Sequence, residues 1–206
     1  MTQVYGSPYA NNIGKMRNSE VVGLAKNRFT DAETQMAIAK HWYRLGKEYL
    51  AANENLTQEA ARELWAHRGY VLKATMLATG NIELTEEEYF DTYRKYFKNN
   101  SRSIWRMQQA FLARPYWASN NGESKTPGAL LEEIYADLPE EEMARTYTLR
   151  RFVNHPNCSL DLALRIGTMK TPENALRYYT EDFENLRNVA MLKVAEITKR
   201  ESADSR

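Results

Sequence analysis

The chain has 206 residues, 43% hydrophobic and 27% charged, with a formal net charge of +1. That is enough for a sizeable core, and it excludes an overall field that commits the chain to nucleic acid or a membrane. One cysteine, Cys158, excludes an internal disulfide framework and points to a reducing compartment.

Nine glycines and six prolines cannot supply the turns that strands need at short intervals, so the expected class is all-α. Residues 1–19, rich in Asn, Gly, Ser and Tyr, are expected to form a flexible N-terminal arm with no apolar run of the signal-peptide kind. From Val21 onward the apolar spacing is helical. It predicts helices over Asp31–His41 and Tyr43–Ala52, Gln58–Ala66 and Gly69–Ala78, then Glu86–Phe97 and Ser103–Ala113. The polar run Ser119-Asn120-Asn121-Gly122-Glu123-Ser124 reads as an internal loop over 119–125. Beyond it the pattern predicts helices over Gly128–Asp137, Glu140–Val153, Leu160–Met169, Pro172–Thr180 and Phe183–Ile197. The expected organisation is therefore helical repeats over 20–118 and again over 126–200, with a disordered tail at 201–206. No run of about 18 apolar residues is present to cross a bilayer, so the expected location is cytoplasmic, without membrane contact.

The helices are announced by a recurring phrase, an apolar residue followed by Thr and an acidic start. It stands at Phe29-Thr30, Leu56-Thr57 and Leu84-Thr85, and in altered form at Thr126-Pro127 and Thr171-Pro172. The Thr-to-Thr spacings are 27, 28, 41 and 45 residues. Periods of about 20–50 residues mark stacked supersecondary units. Thr30-Asp31-Ala32-Glu33 and Thr85-Glu86-Glu87-Glu88 read as capping boxes, and Thr57-Gln58-Glu59 as a weaker cap. Pro127 and Pro172 are expected at the first helical position, where proline's missing N–H costs nothing. A shift of 27 residues superposes Thr30 on Thr57, Ala39 on Ala66, Tyr43 on Tyr70 and Leu50 on Leu77.

The segment Thr171-Pro172-Glu173, Leu176, Asp182, Leu186-Arg187 and Ala190 resembles the variant leucine-rich repeat, a relative of HEAT-like helical repeats. Asn154-His155-Pro156-Asn157 resembles the Asn-Pro turn that links such units. The resemblance is clearest over residues 150–197. It implies a right-handed, α-solenoid-like stack of about five helical hairpins with a binding surface. Some variant-repeat proteins carry an iron–sulfur cluster on several cysteines, which a single cysteine rules out.

Charge alternates in blocks. Residues 83–91 hold five acids and no base; residues 92–114 hold six bases and no acid. Residues 123–142 carry seven acids against Lys125, and 143–170 carry five bases against Asp161. In a solenoid such a rule gives one acidic and one basic wall. The expected partner-binding residues are Arg94, Lys98, Arg102, Arg106, Arg145, Arg150, Arg151 and Arg187, with Trp117 as the exposed aromatic. Trp42, Trp65 and Trp105 sit amid apolar positions and are expected in the core. Such a trough suits an acidic protein segment.

The function read from these features is a non-catalytic protein-binding module, an adaptor or inhibitor, of a kind that a phage uses to seize host machinery. No catalytic residue, metal, cofactor or small-molecule partner is expected. Glu63 and His67 stand at i, i+4 but lack the further carboxylates of a bundle metal centre. His155 and Cys158 have His-x-x-Cys spacing without a second pair for zinc, and one short turn is a poor frame for a nucleophilic Cys–His pair. The alternative is nucleic-acid binding by the basic, aromatic-rich 92–114 block. Some HEAT-like proteins of this length are DNA glycosylases; the conceivable counterparts here are Asp137, Asp161 and Asp182 with Trp105 or Trp117.

Overall fold

Every regular element among the described residues is helical, as the scarcity of turn residues predicts. The computed structural model describes residues 7–98, 110–112, 125–172 and 180–204. The chain divides into two compact units, Met1–Leu84 and Thr85–Arg206. The expected loop at 119–125 and the expected helix at 103–113 lie almost wholly outside the described residues.

In the first unit a 3-10 turn, Ala10–Lys15, precedes five α-helices: α1 Asn18–Lys26, α2 Ala32–Lys40, α3 Arg44–Ala51, α4 Gln58–Ala66 and α5 Tyr70–Thr79. The stretch expected as an N-terminal arm is thus partly helical. Ile13 is buried, and the Ser7 hydroxyl donates to Asp31 at 2.9 Å. Caps set the boundaries. Asp31 accepts the Thr34 amide at 2.8 Å and Thr57 that of Ala60 at 3.4 Å. The expected Thr30 cap is corrected: its hydroxyl donates to the Leu24 carbonyl at 2.6 Å, and Asp31 opens the helix instead. At the end of α5, Gly80 takes the left-handed conformation (φ 69°), with Asn81 N–H on the Met76 carbonyl and Gly80 N–H on that of Leu77. This is a Schellman stop, and glycine enters it without steric cost.

Helix α1 lies against α3, α3 against α5, and α2 against α4. Close approach of α1 and α3 needs Gly46, because a Cβ there would stand 2.9 Å from Val21 Cγ1. Asparagine side chains tie the layers. Asn53 donates to the carbonyls of Ala25 and Asn27 (2.9 and 3.0 Å), and Asn81 donates to those of Ala51 and Asn53 (3.0 and 2.8 Å). Each satisfies carbonyls left over at and just past the end of an earlier helix, α1 for Asn53 and α3 for Asn81. The buried side chains Val21, Ile38, Leu50, Leu64 and Met76 fill the space between the helices. Each contributes about 1.5–3 kcal/mol relative to exposure.

The caps also give the true internal shift. N-caps Asp31 and Thr57, C-caps His41 and His67, and N-caps Tyr43 and Gly69 are each 26 residues apart, one fewer than the Thr-to-Thr spacing.

In the second unit lie α6 Glu86–Tyr96, α7 Gly128–Ala136, α8 Glu140–Met143, α9 Thr146–Val153, α10 Leu160–Thr168 and α11 Thr180–Asp204. Thr85 and Glu88 form the expected capping box of α6. Pro127 is the N-cap of α7 rather than its first helical residue. The single helix expected over 140–153 is broken at Ala144–Arg145. Glu142 turns inward to accept the Thr148 hydroxyl at 2.8 Å, and Arg145 goes extended to start α9. Helix α10 packs along α11, and α9 on both. Their shared core is Leu149, Phe152, Leu162, Ile166, Phe183, Leu186 and Ala190, with Tyr135 of α7 edge-on to Phe152 (ring centroids 5.6 Å). Helix α11 continues to Asp204, into the stretch expected as a tail. No helix among the described residues is long and apolar enough to cross a membrane.

Candidate functional site

The basic residues singled out by sequence fall into different surroundings. Arg94 on α6 donates from Nε and Nη2 to the two carboxylate oxygens of Glu133 on α7, at 3.1 and 2.7 Å. Lys98 Nζ lies 3.0 Å from Asp137 and 3.1 Å from Glu133, and the Tyr93 hydroxyl also donates to Asp137 at 3.0 Å. The paired charges favour the ionised forms: Arg94 and Lys98 are pushed up, Arg94 by Glu133 and Lys98 chiefly by Asp137. Glu133 is pulled down, chiefly by its hydrogen bond from Arg94. Two members of the basic block therefore join α6 to α7.

The three arginines at the start of α9 and along it differ in exposure. Arg145 is open and paired with Glu142 at 3.2 Å, Arg150 is half-buried, and Arg151 is buried beneath Tyr147, with its guanidinium 5.6 Å from the ring. Burial lowers the pKa of Arg151. Arg187 on α11 donates to the Thr171 hydroxyl at 3.1 Å. Arg102, Arg106 and Trp117 lie outside the described residues, as does Trp105.

A site that the sequence reading did not single out stands in the first unit, where α2 hands over to α3 and α4 to α5. A pocket of about 320 Å3 is lined there by Trp42, Lys47, His67, Arg68, Tyr70 and neighbouring residues. That lies at the small end of ligand pockets (~300–1,000 Å3). Trp42, expected in the core, is 74% exposed and packs its ring against His41 and Tyr43 at centroid distances of 5.4 and 5.6 Å. The turn explains it: His41 ends α2, its Nδ1 accepts the Tyr43 amide at 3.2 Å, and Trp42 between them is turned outward.

Lys47 is the opposite case, a cation held inside, 7% exposed. The face of α3 that carries Gly46, Lys47, Leu50 and Ala51 is the buried one, so the backbone places the ammonium inward. Its Nζ lies 2.8 Å from His67 Nε2, which also stands 3.3 Å from the Ala39 carbonyl. The shorter contact, from a charged donor, makes Nε2 the acceptor. Burial pulls the Lys47 pKa down, opposed by the field of Glu63. Burial and Lys47 together pull His41 down. Arg44, at the mouth, is bound to Glu48 at 2.7 Å. The site is thus a recess lined by Arg44, Lys47, His67 and Arg68, with Glu48 also in the lining, beside an exposed indole.

The second unit buries a different histidine. His155 is fully buried, its Nδ1 accepts the Asn157 amide at 3.0 Å, and its Nε2 has no hydrogen-bond partner among the described residues. Burial drives its pKa down to about 4, and drives the thiol of nearby Cys158 up to about 11. Both shifts run opposite to the thiolate–imidazolium pair that nucleophilic chemistry needs. Asp137 is held by Tyr93 and Lys98, Asp161 faces Arg165 at 3.4 Å, and Asp182 is exposed. Among the described residues no three His, Cys, Asp or Glu side chains are grouped as a metal site would require.

No family model, no curated protein and no solved structure matches this chain. A signal for the pocket was nonetheless present in the sequence. A shift of 26 residues superposes Leu24-Ala25 on Leu50-Ala51, and Asn27, Glu33, His41, Lys47 and Asn55 on Asn53, Glu59, His67, Lys73 and Asn81. The 27-residue shift keeps the apolar matches and hides these polar ones.

Proposed function

We propose that this chain is a non-catalytic helical-repeat module, a right-handed α-solenoid-like stack, that binds an acidic segment of a partner protein and acts as an adaptor or inhibitor in a reducing, cytoplasmic setting. The observation that carries the reading is the pocket of the first unit, where the exposed Trp42 stands beside Lys47, His67 and Arg68. Aromatic anchors next to cations are what hot spots for acidic segments are made of. Support for the stack comes from the 26-residue spacing of caps and from the repeated asparagine bonds, each reaching back one layer. Arg94 and Lys98 already face Glu133 and Asp137, which weakens the case for a phosphate-binding trough on that block.

Fluorescence titration with a blocked, glutamate-rich peptide containing aromatic residues, against a single-stranded oligonucleotide, tests this. The peptide should quench tryptophan emission at micromolar concentration, and Trp42→Ala should weaken binding about tenfold or more without lowering thermal stability. Binding of the oligonucleotide alone, with a steep salt dependence, overturns the reading.

A further inference from the structure

Lys47 is a charged group in a place where charge is costly, and the protein does not neutralise it. A buried ammonium is normally held by a carboxylate. Among the described residues, the hydrogen-bond partner of Lys47 Nζ is one ring nitrogen, His67 Nε2 at 2.8 Å, and no carboxylate stands within ion-pair distance. Glu63 reaches it only through its field. Glu48, one residue along α3, lines the same recess and is paired with Arg44. An ammonium has three donors, and this one lines an open recess that also holds Arg68 and Trp42.

The matching position 26 residues on places the same residue type in other surroundings. Lys73, 26 residues on and 4% exposed, sets its ammonium 4.2 Å from the centre of the Trp65 ring and hydrogen-bonds the Trp65 carbonyl. Lys73 is absent from the pocket's lining, whereas Lys47 is part of it. In the Lys47 layer the ammonium meets the histidine of the following turn. That contact leaves the two remaining N–H bonds available, because the imidazole uses a single lone pair.

We propose that Lys47 Nζ is the anchor for one side-chain carboxylate of the bound segment, with the residue beside that carboxylate seated on the Trp42 indole and Arg68 drawing it in at the rim. This rests on the protein-binding reading above and names the group that reads the acid. His67 acts as a positioning residue: by accepting from Nζ it fixes the direction of the free N–H bonds. Apolar contact with the indole then selects an acid flanked by an aromatic or large aliphatic side chain over a uniformly acidic run.

The experiment uses the full chain and two hexapeptides with blocked ends, one alternating glutamate and phenylalanine, the other with glutamine in place of glutamate. Blocking the C-terminus leaves side-chain carboxylates as the only source of acid. Affinities come from titration calorimetry, and the His67 ring resonances are followed by NMR. The glutamate peptide should bind the natural chain at least tenfold more tightly than the glutamine peptide and shift the His67 signals. Lys47→Met should erase both the preference and the shift, and Lys47→Gln, which keeps a polar group, should do the same if the methionine variant fails to fold. Equal binding of the glutamate peptide by both Lys47 variants, with loss in Trp42→Ala, overturns the anchor while leaving the binding module standing. No binding of either peptide to the natural chain overturns the module itself.

Discussion

Two regions of this molecule handle basic side chains in opposite ways. Between α6 and α7 of the second unit, Arg94 and Lys98 meet two acids, Glu133 and Asp137, and a tyrosine hydroxyl completes the network. In the first unit Lys47 is more deeply buried than either, yet it meets a histidine. The first arrangement is a means of holding two helices together, since each cation has its counter-charge on the neighbouring element. The second adds no ion pair to the fold and keeps a cation at the edge of open space. A block of bases in sequence is therefore not a surface by itself; the neighbouring helix decides which of them are already spoken for.

The histidines allow the largest test of this contrast. His155 is inside the second unit and neutral, with its pKa lowered from the ordinary 6.5 to about 4. A depressed histidine contributes stability that is full above the unfolded value and lost as pH falls through the folded one. Between pH 6.5 and about 4 the second unit should therefore lose on the order of 3 kcal/mol. Denaturant midpoints measured across that range check it, and His155→Gln should flatten the slope. A flat profile in the natural chain would show that His155 is hydrated rather than dry.

A middle-sized effect belongs to the asparagine bonds of the first unit. Asn53 is 5% exposed and donates to two carbonyls at the end of α1, those of Ala25 and Asn27. Removing it leaves buried acceptors unmade, so Asn53→Ala should cost about 1–3 kcal/mol, read as a lower urea midpoint. Asn55→Ala, whose side chain is exposed and donates to the Arg28 carbonyl, should cost less. If the two cost the same, the layers are held by packing alone.

The smallest effect is the most diagnostic because its sign differs between regions. Glu133→Gln should lower the thermal midpoint at neutral pH. With its pKa held below the ordinary carboxylate value, Glu133 makes that contribution in full above about 4.5 and loses it as pH falls through the lowered value, so the variant and the natural chain should draw together in acid. Lys47→Met should leave the midpoint unchanged or raise it. A lysine with a depressed folded pKa carries its penalty at neutral pH, and that penalty is relieved only as pH rises toward the unfolded value. A lowered midpoint in Lys47→Met would make Lys47 a structural residue.

Much of the helical layout was legible. Gln58–Ala66 is found with the same bounds, and Ala32–Lys40, Arg44–Ala51 and Leu160–Thr168 depart from expectation by a residue or so at their ends. Caps and apolar spacing are local, so they survive any tertiary arrangement. The misses are equally physical. Thr30 and Asp31 are both good caps, and only the hydrogen bond of Thr30 to Leu24 on the preceding helix assigns the role to Asp31. Trp42 matches an apolar position by composition, yet it sits in the turn between α2 and α3 and points outward. Residues 140–153 have the spacing of one helix, but Glu142 folding back on Thr148 divides it.

What the amino acids determined alone was helical content and many of the helix limits, because propensity, capping and periodicity act over a few residues. Tertiary structure decided the fate of the charges. Whether Arg94, Lys98 or Lys47 faces a carboxylate, an imidazole or an open pocket depends on side chains 20 to 40 residues away that no local pattern ties to them. The energy of a charge is set by what surrounds it, and in this chain the surroundings are supplied by the neighbouring helix.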